Sequence, residues 1–169
     1  YRLDLAFLAI VFCTPLSFNF ENLSIGGLGF YFPTEPLLLV FLIVFLLKLL
    51  YKSSPKKILI HYKHPITILI LIQLIWIFIS SITSEFPLIS FKFLISRTWF
   101  VVPIFFYGIH FFREGKHRIF QFLLSFIFPM FLATSYTLIN HMTHGFSEEA
   151  GHWVMWPFFK DHTSYGAIL

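Results

Sequence analysis

The feature that most constrains this chain is an apolar run between Pro65 and Thr83 that contains no charged side chain. The centre of the run, ITILILIQLIWIFISS, carries a single amide. Its length is close to the roughly 20 residues with which a helix crosses a bilayer. Because a backbone surrounded by lipid must form its hydrogen bonds within itself, such a run favours a helix. The sequence therefore predicts a membrane-spanning helix here.

The composition of the whole chain also favours lipid as its solvent. Of the 169 residues, 57% are hydrophobic and 12% are charged, whereas a soluble domain carries about 25% charged residues. So few charges do not cover a water-facing surface of this size. The formal net charge of +4 does not indicate nucleic-acid binding, because the basic residues lie between apolar runs.

The apolar runs predict an all-α fold, a polytopic transmembrane helix bundle in one domain over residues 1–169. Five runs suit complete spans, and a sixth begins where the sequence stops. We place the spans at about residues 3–18, 33–51, 65–83, 91–111, 119–139 and 163–169. Since the sequence opens on Tyr1 and ends inside the sixth run, we expect it to be a fragment of a longer protein.

The basic residues predict the orientation of the bundle. Of the 12 Lys and Arg, nine lie at the N-terminus or in the loops after spans two and four, and one, Lys160, lies in the opposite loops. The nine are Arg2, Lys48, Lys52, Lys56, Lys57, Lys63, Arg113, Lys116 and Arg118. Because basic loops stay in the cytoplasm, we expect a cytoplasmic N-terminus. The segments 19–34, 84–90 and 140–162 are then outer loops, the first of them rich in glycine and polar residues.

The other two cations, Lys92 and Arg97, lie within span four and are the first candidate binding residues. If the span begins near Phe91, Arg97 lies roughly 9 Å along it, within the outer leaflet. A charge at the centre of such a helix costs roughly 2.5–3.5 kcal/mol, and the planar guanidinium suits phosphate. The alternative for both is extension to the lipid headgroups. The shallower Lys92 fits that alternative better, and the deeper Arg97 fits binding better.

The segment WPFFKDHTSYG holds the second candidate residues. Asp161, Thr163 and Ser164 are typical of a helix start, where short polar side chains accept from free backbone N–H groups. Alternatively, Asp161 and His162 bind sugar hydroxyls or exchange protons with a lipid-linked polar substrate at the outer surface. The sequence leaves both interpretations open.

Three histidines of the predicted outer loop are candidate metal ligands. His141, His144 and His152 follow at gaps of three and eight residues. A His-x-x-His pair binds metal only with further ligands at suitable spacing, and loop histidines without such a role are commoner. We therefore predict no metal and no cofactor. No P-loop, GxSxG or Cys-x-x-Cys pattern is present, so ATP hydrolysis and serine hydrolase chemistry are not indicated.

Three stretches resemble the O-antigen ligase and polymerase family of bacterial envelope proteins. They are PTE at the start of span two, SFKFLISRTWF in span four and PFFKDHTSYGAIL at the entry to span six, of which DHTSYG is the most specific. The resemblance covers essentially the whole chain but only the N-terminal half of the family's length. It implies a multi-pass protein of the bacterial inner membrane. Such a protein transfers a glycan from an undecaprenyl-pyrophosphate carrier to lipid A core or another glycan at the outer face.

The resemblance also implies roles for particular residues. The family's reaction is usually viewed as metal-independent and inverting, with basic residues holding the pyrophosphate leaving group. Arg97, with Lys92 assisting, matches that cation position. The base that activates the acceptor is expected beyond Leu169, so the fragment alone is expected to be inactive. The implied partners are the lipid-linked donor, the glycan or lipid A core acceptor, and membrane lipids.

Two other functions also fit the sequence. A multi-span transporter or flippase of envelope precursors also uses an intramembrane Arg and kinked spans. A non-catalytic membrane scaffold predicts that changes at Arg97 and in the outer loops have no effect. The sequence does not distinguish a ligase from a polymerase, and it does not identify the sugar or the acceptor.

Overall fold

The computed structural model describes residues 2–25, 28–51, 64–159 and 161–168. In those residues the chain forms seven α-helices and a β-hairpin. The elements are α1 (Arg2–Cys13) with a 3-10 turn (Thr14–Leu16), β1 (Phe18–Ile25), β2 (Leu28–Phe32), α2 (Thr34–Tyr51), α3 (Pro65–Ile82), α4 (Pro87–Phe112), α5 (Lys116–Thr143), α6 (Glu148–Gly151) and α7 (His162–Ile168).

Three of the described helices, α3, α4 and α5, are long and apolar enough to cross a membrane. They have 18, 26 and 28 residues, which gives about 27, 39 and 42 Å at about 1.5 Å per residue. A hydrocarbon core is about 30 Å thick. The predicted helical membrane architecture is thus confirmed at this level. The apolar helix Leu3–Leu16 is shorter, and the full count of five spans with a sixth begun stays a prediction.

The first of the predicted outer segments, residues 19–34, is not the loop that its glycines predicted. β1 and β2 pair antiparallel, with Phe18 opposite Phe32 and Phe20 opposite Phe30. Aromatic residues at every second position favour a strand, and a Gly-Gly dipeptide between two such runs is a hairpin signal. The described fold is therefore helical with one hairpin, and the prediction of a loop is wrong at this segment.

The base of the hairpin is closed by two hydroxyls. Ser17, just before β1, and Thr34, the first residue of α2, are buried and hydrogen-bonded to each other. The Ser17 hydroxyl also lies 2.9 Å from the carbonyl oxygen of Cys13. Thr34 belongs to the PTE stretch, so in this fold the threonine of that stretch fixes the junction between hairpin and helix.

The chain divides into two compact units, one of residues 1–37 with 115–169 and one of residues 38–114. In the first unit, α1 and its 3-10 turn pack against α5. Phe7 is buried and stacks on Phe122, with ring centroids 6.1 Å apart. This packing of aromatic rings joins two helices that are far apart in sequence.

In the first unit, the segment between α5 and α7 folds back and packs against α5. Its core is formed by Met130, Ala133, Met155 and Phe159. The Asn140 side-chain amide donates to the carbonyl oxygen of Val154 at 2.9 Å. The segment between α5 and α7 is therefore held by buried apolar contacts and by a backbone-directed hydrogen bond.

In the second unit, α3 and α4 form a helical hairpin, and α2 packs on α4 through aromatic rings. The Ser81 hydroxyl bonds to the carbonyl oxygen of Ser90 at 3.2 Å across the hairpin. Tyr107 of α4 lies edge-on to Phe41 and Phe45 of α2, at 5.2 and 6.3 Å between centroids. All three rings are buried, so this aromatic cluster positions the helix that carries Arg97.

Candidate functional site

Arg97 lies further along its helix than the sequence indicated. Helix α4 begins at Pro87, four residues before the predicted start at Phe91, with Phe86 as its N-cap. Proline suits the first turn of a helix because its missing N–H has no partner there anyway. Arg97 is thus ten residues along a 26-residue helix, about 15 Å from its start. The predicted depth of roughly 9 Å is corrected to a position near the middle of the helix.

The guanidinium of Arg97 belongs to an exposed apolar face of α4. Phe93, Arg97 and Phe100 follow Ile89 by four, eight and eleven residues, so all four lie on one face of the helix. About half of each of the three apolar residues is exposed. Arg97 itself is exposed. It has no hydrogen bond or ion pair to another described residue. A cation among apolar side chains in a spanning helix is costly unless it meets an anion or reaches water.

Lys92 and Arg97 lie on different sides of helix α4. Residues five apart are separated by about 140° around a helix of 3.6 residues per turn, and by about 7.5 Å along it. Lys92 is half-buried, whereas Arg97 is exposed. The carbonyl oxygen of Lys92 accepts a hydrogen bond from the Ser96 hydroxyl at 2.9 Å. Arg97 is therefore the primary candidate, and assistance by Lys92 stays a prediction.

Asp161 forms the helix start that the DHTSYG segment predicted. Its Oδ1 accepts from the Thr163 hydroxyl at 2.6 Å and from the Ser164 backbone N–H at 2.7 Å. The hydrogen bond from Thr163, followed by those from Ser164, lowers the pKa of Asp161 to about 2. A general base works best with a pKa near the operating pH. Asp161 is therefore suited to capping α7 or accepting a sugar hydroxyl, and poorly suited to taking a proton at neutral pH.

His162 has a neighbour that sequence reasoning missed. The Nδ1 atoms of His152 and His162 lie 3.3 Å apart. The ring centroids are 4.7 Å apart, with an angle of 77° between the planes. Both side chains are exposed. The two residues are ten apart in sequence, with His152 in the turn after α6 and His162 at the start of α7, so no spacing rule indicated their proximity.

The other two candidate histidines are engaged with backbone carbonyls. His141 Nε2 lies 3.1 Å from the carbonyl oxygen of Ser147, and His144 Nδ1 lies 2.9 Å from that of Asn140. Because a carbonyl only accepts, these ring nitrogens donate. Both side chains thus satisfy carbonyls near the end of α5. Among the described residues, no three His, Cys, Asp or Glu side chains are placed to hold one metal ion.

No protein-family model, curated protein or solved structure matches the chain. The fold itself defines a helical protein in which three described helices can cross a membrane. Its candidate residues are a central arginine on an exposed apolar face of α4 and a polar group of Asp161, His152 and His162 around the start of α7. The basic segment 52–63 and Lys160 lie outside the described residues, so the orientation remains a prediction.

Proposed function

We propose that this chain is the N-terminal part of a bacterial inner-membrane glycan ligase or polymerase. It would have five complete spans and the start of a sixth, with its N-terminus in the cytoplasm. The reaction transfers a glycan from an undecaprenyl-pyrophosphate carrier to lipid A core or to another glycan at the outer face. The support is the resemblance of PTE, SFKFLISRTWF and DHTSYG to that family, together with the position of Arg97.

The observation that carries the proposal is the Arg97 guanidinium on the exposed apolar face of α4. It lies near the middle of an apolar helix and pairs with no described residue. A guanidinium presents a planar fork of donors that matches phosphate oxygens. A pyrophosphate on a lipid carrier brings such oxygens to a membrane protein together with a polyprenyl chain that suits the neighbouring Phe93 and Phe100. The apolar face and the cation thus fit the two parts of one substrate.

The chemical role of Arg97 follows from the charge that develops in glycan transfer. As the bond between sugar and phosphate breaks, negative charge builds on the leaving pyrophosphate. A donor aimed at that oxygen stabilises the transition state, and removal of one such donor typically lowers kcat about 10²–10³-fold. The effect is larger among apolar side chains, because a low dielectric strengthens charge interactions.

The test compares three variants of the complete protein at matched membrane levels. Arg97→Ala is expected to remove most of the surface glycan that a gel detects. Arg97→Lys should restore part of it, because lysine keeps the charge but loses the fork. Arg113→Ala, at the exposed end of the same helix, is the control and should leave the glycan unchanged. Normal glycan attachment in Arg97→Ala contradicts the proposed role and favours the scaffold.

Buried prolines give the transporter alternative a structural basis. Pro103 lies inside α4 and Pro129 inside α5. Each removes a helical hydrogen bond and favours a kink, and kinked spans also fit a substrate path in a transporter. Reconstituted vesicles distinguish the two functions. Carrier-dependent glycan transfer without substrate accumulation supports the ligase or polymerase, whereas accumulation without transfer supports a transporter or flippase.

A further inference from the structure

We propose that His152 and His162 form a two-histidine site for a divalent transition-metal ion such as Cu²⁺, Ni²⁺ or Zn²⁺. The two Nδ1 atoms lie 3.3 Å apart on exposed rings. The site does not depend on glycan transfer. It also departs from the sequence prediction of no metal, which rested on His141, His144 and His152 and had no means of pairing His152 with His162.

The distance between the nitrogens suits a shared metal ion. Two imidazole nitrogens, each about 2.0–2.1 Å from Zn²⁺ and separated by a tetrahedral angle, lie about 3.3–3.4 Å apart. The observed separation of the Nδ1 atoms is 3.3 Å. At that distance the two nitrogens cannot both carry a proton without repulsion. Either one N–H donates to the other nitrogen, or both lone pairs bind one cation.

Packing and hydrogen bonds hold the backbone next to each of the two histidines. On the His152 side, Val154 and Met155 are buried, and the Val154 carbonyl accepts from the Asn140 amide at 2.9 Å.

On the His162 side, Asp161 caps α7, and Phe159 is buried against Tyr165 with ring centroids 5.3 Å apart. The two nitrogens therefore start at a chelating distance, and binding a metal ion costs little backbone entropy.

The chemistry of the ligands selects the type of ion. Imidazole suits Zn²⁺, Cu²⁺ and Ni²⁺, whereas Ca²⁺ and Mg²⁺ take oxygen ligands. The carboxylate of Asp161, which precedes His162 in sequence, accepts from the Thr163 hydroxyl and the Ser164 N–H. The remaining coordination positions then go to water or to an oxygen of a small anion. By the usual order of affinities, Cu²⁺ is expected to bind more tightly than Ni²⁺ or Zn²⁺.

The test uses the purified chain in detergent and titrates Cu²⁺ by calorimetry and electron paramagnetic resonance. We expect one ion per chain, with the spectrum of two nitrogen ligands. His152→Ala and His162→Ala should each weaken binding about tenfold or more, because one imidazole then replaces a chelating pair. His144→Ala is the matched control. Its ring is exposed but bonded to a carbonyl, and its loss should leave the affinity unchanged.

Equal Cu²⁺ binding by the wild type and by the His152→Ala/His162→Ala double variant contradicts the site, as does the absence of binding. Either result leaves the N–H···N hydrogen bond as the account of the short distance. A second measurement does not need a variant. Zn²⁺ added to the ¹⁵N-histidine-labelled wild type should shift the Nδ1 resonances of two histidines, and a spectrum without such shifts overturns the proposal.

Discussion

Arg118 donates through Nη2 to Oδ2 of Asp4 at 3.0 Å, and so joins the first turn of α5 to the first turn of α1 across 114 residues of sequence. The two side chains are only 15% and 12% exposed. Arg118 also donates to the side chain of Gln121 at 3.3 Å. In the sequence, Arg118 counted only as one cytoplasmic charge among nine. The structure adds a specific partner, which fixes the relative register of two helices.

Breaking this ion pair is expected to destabilise the first unit. Asp4→Asn leaves the Arg118 guanidinium largely buried with a weaker acceptor, at a cost of about 1–3 kcal/mol. Unfolding in a denaturing detergent measures the change. The exchanged double variant Asp4→Arg/Arg118→Asp should be more stable than the sum of the single changes Asp4→Arg and Arg118→Asp. Lys116→Ala, at the exposed first residue of α5, should have no effect. A double variant no more stable than the sum of its single changes argues against direct coupling.

Two buried threonines differ in whether their hydroxyls are satisfied. Thr137 of α5 donates to the Ala133 carbonyl at 3.0 Å, whereas the buried Thr67 hydroxyl of α3 has no hydrogen-bond partner in the part of the chain that the structure describes. Valine has nearly the shape of threonine without the hydroxyl. Thr137→Val should therefore lower the free energy of unfolding by about 0.5–1.5 kcal/mol, and Thr67→Val should leave it unchanged or raise it.

Thr67→Val and Thr137→Val serve as controls for each other, because both replace a hydroxyl by a methyl group. Both side chains are almost fully buried, at 4% and 0% exposed. Detergent unfolding, followed by circular dichroism, gives the two free energies under the same conditions. A loss of stability in Thr67→Val equal to that in Thr137→Val would mean that the Thr67 hydroxyl is satisfied.

The aromatic cluster of the second unit is expected to contribute strongly to its stability. Tyr107 is 3% exposed and lies edge-on to both Phe41 and Phe45. Tyr107→Ala removes a large buried side chain, and such a change costs about 3–5 kcal/mol. Tyr107→Phe keeps the ring contacts and should cost less than Tyr107→Ala. Thermal unfolding in detergent compares them, and equal losses would show that the hydroxyl, not the ring packing, dominates.

Helix positions were predictable where an apolar run has clear ends. The run 65–83 became α3, Pro65–Ile82, because Pro65 follows the N-cap His64 and no charge interrupts it. The run 119–139 became the longer α5, Lys116–Thr143. An apolar run indicates only the part of a helix that contacts hydrocarbon. The hydrogen-bonded backbone of the helix continues into polar ends such as KHR and NHMT. Helix α4 begins before Phe91 for a different reason, because Pro87 suits its first turn, and this places Arg97 nearer the middle of the helix.

Contacts between residues distant in sequence were not predictable from a single chain. The capping bonds of Asp161 are local and follow from residue types at fixed offsets. The His152–His162 pair and the Asp4–Arg118 pair depend instead on how segments fold back on each other. The hairpin was missed because the glycine and polar residues outweighed the alternating aromatic residues of β1 and β2. Sequence reasoning therefore identified His162 and Arg118 but assigned them no partner.

The low pKa of Asp161 gives a pH dependence with a definite sign. Its pKa is lowered from 3.8 to about 2, first by the Thr163 hydroxyl and then by Ser164. A carboxylate with a lowered pKa stabilises the folded form above its unfolded pKa. That stabilisation of the start of α7 is fully present above about pH 4 and is lost as the pH falls from there through about 2. A carboxyl-carbon NMR titration measures the pKa directly.

Thr163→Val removes the largest cause of the shift and should raise the pKa of Asp161 toward 3.8. Thr143→Val is the matched control. Its hydroxyl donates to the Asn140 carbonyl at 2.7 Å, at a distance from Asp161 in sequence, and its loss should leave the Asp161 titration unchanged. The raised pKa also means that α7 starts to lose its cap at a higher pH. An unchanged titration in Thr163→Val would show that the Ser164 N–H, rather than the Thr163 hydroxyl, holds the carboxylate in its charged form.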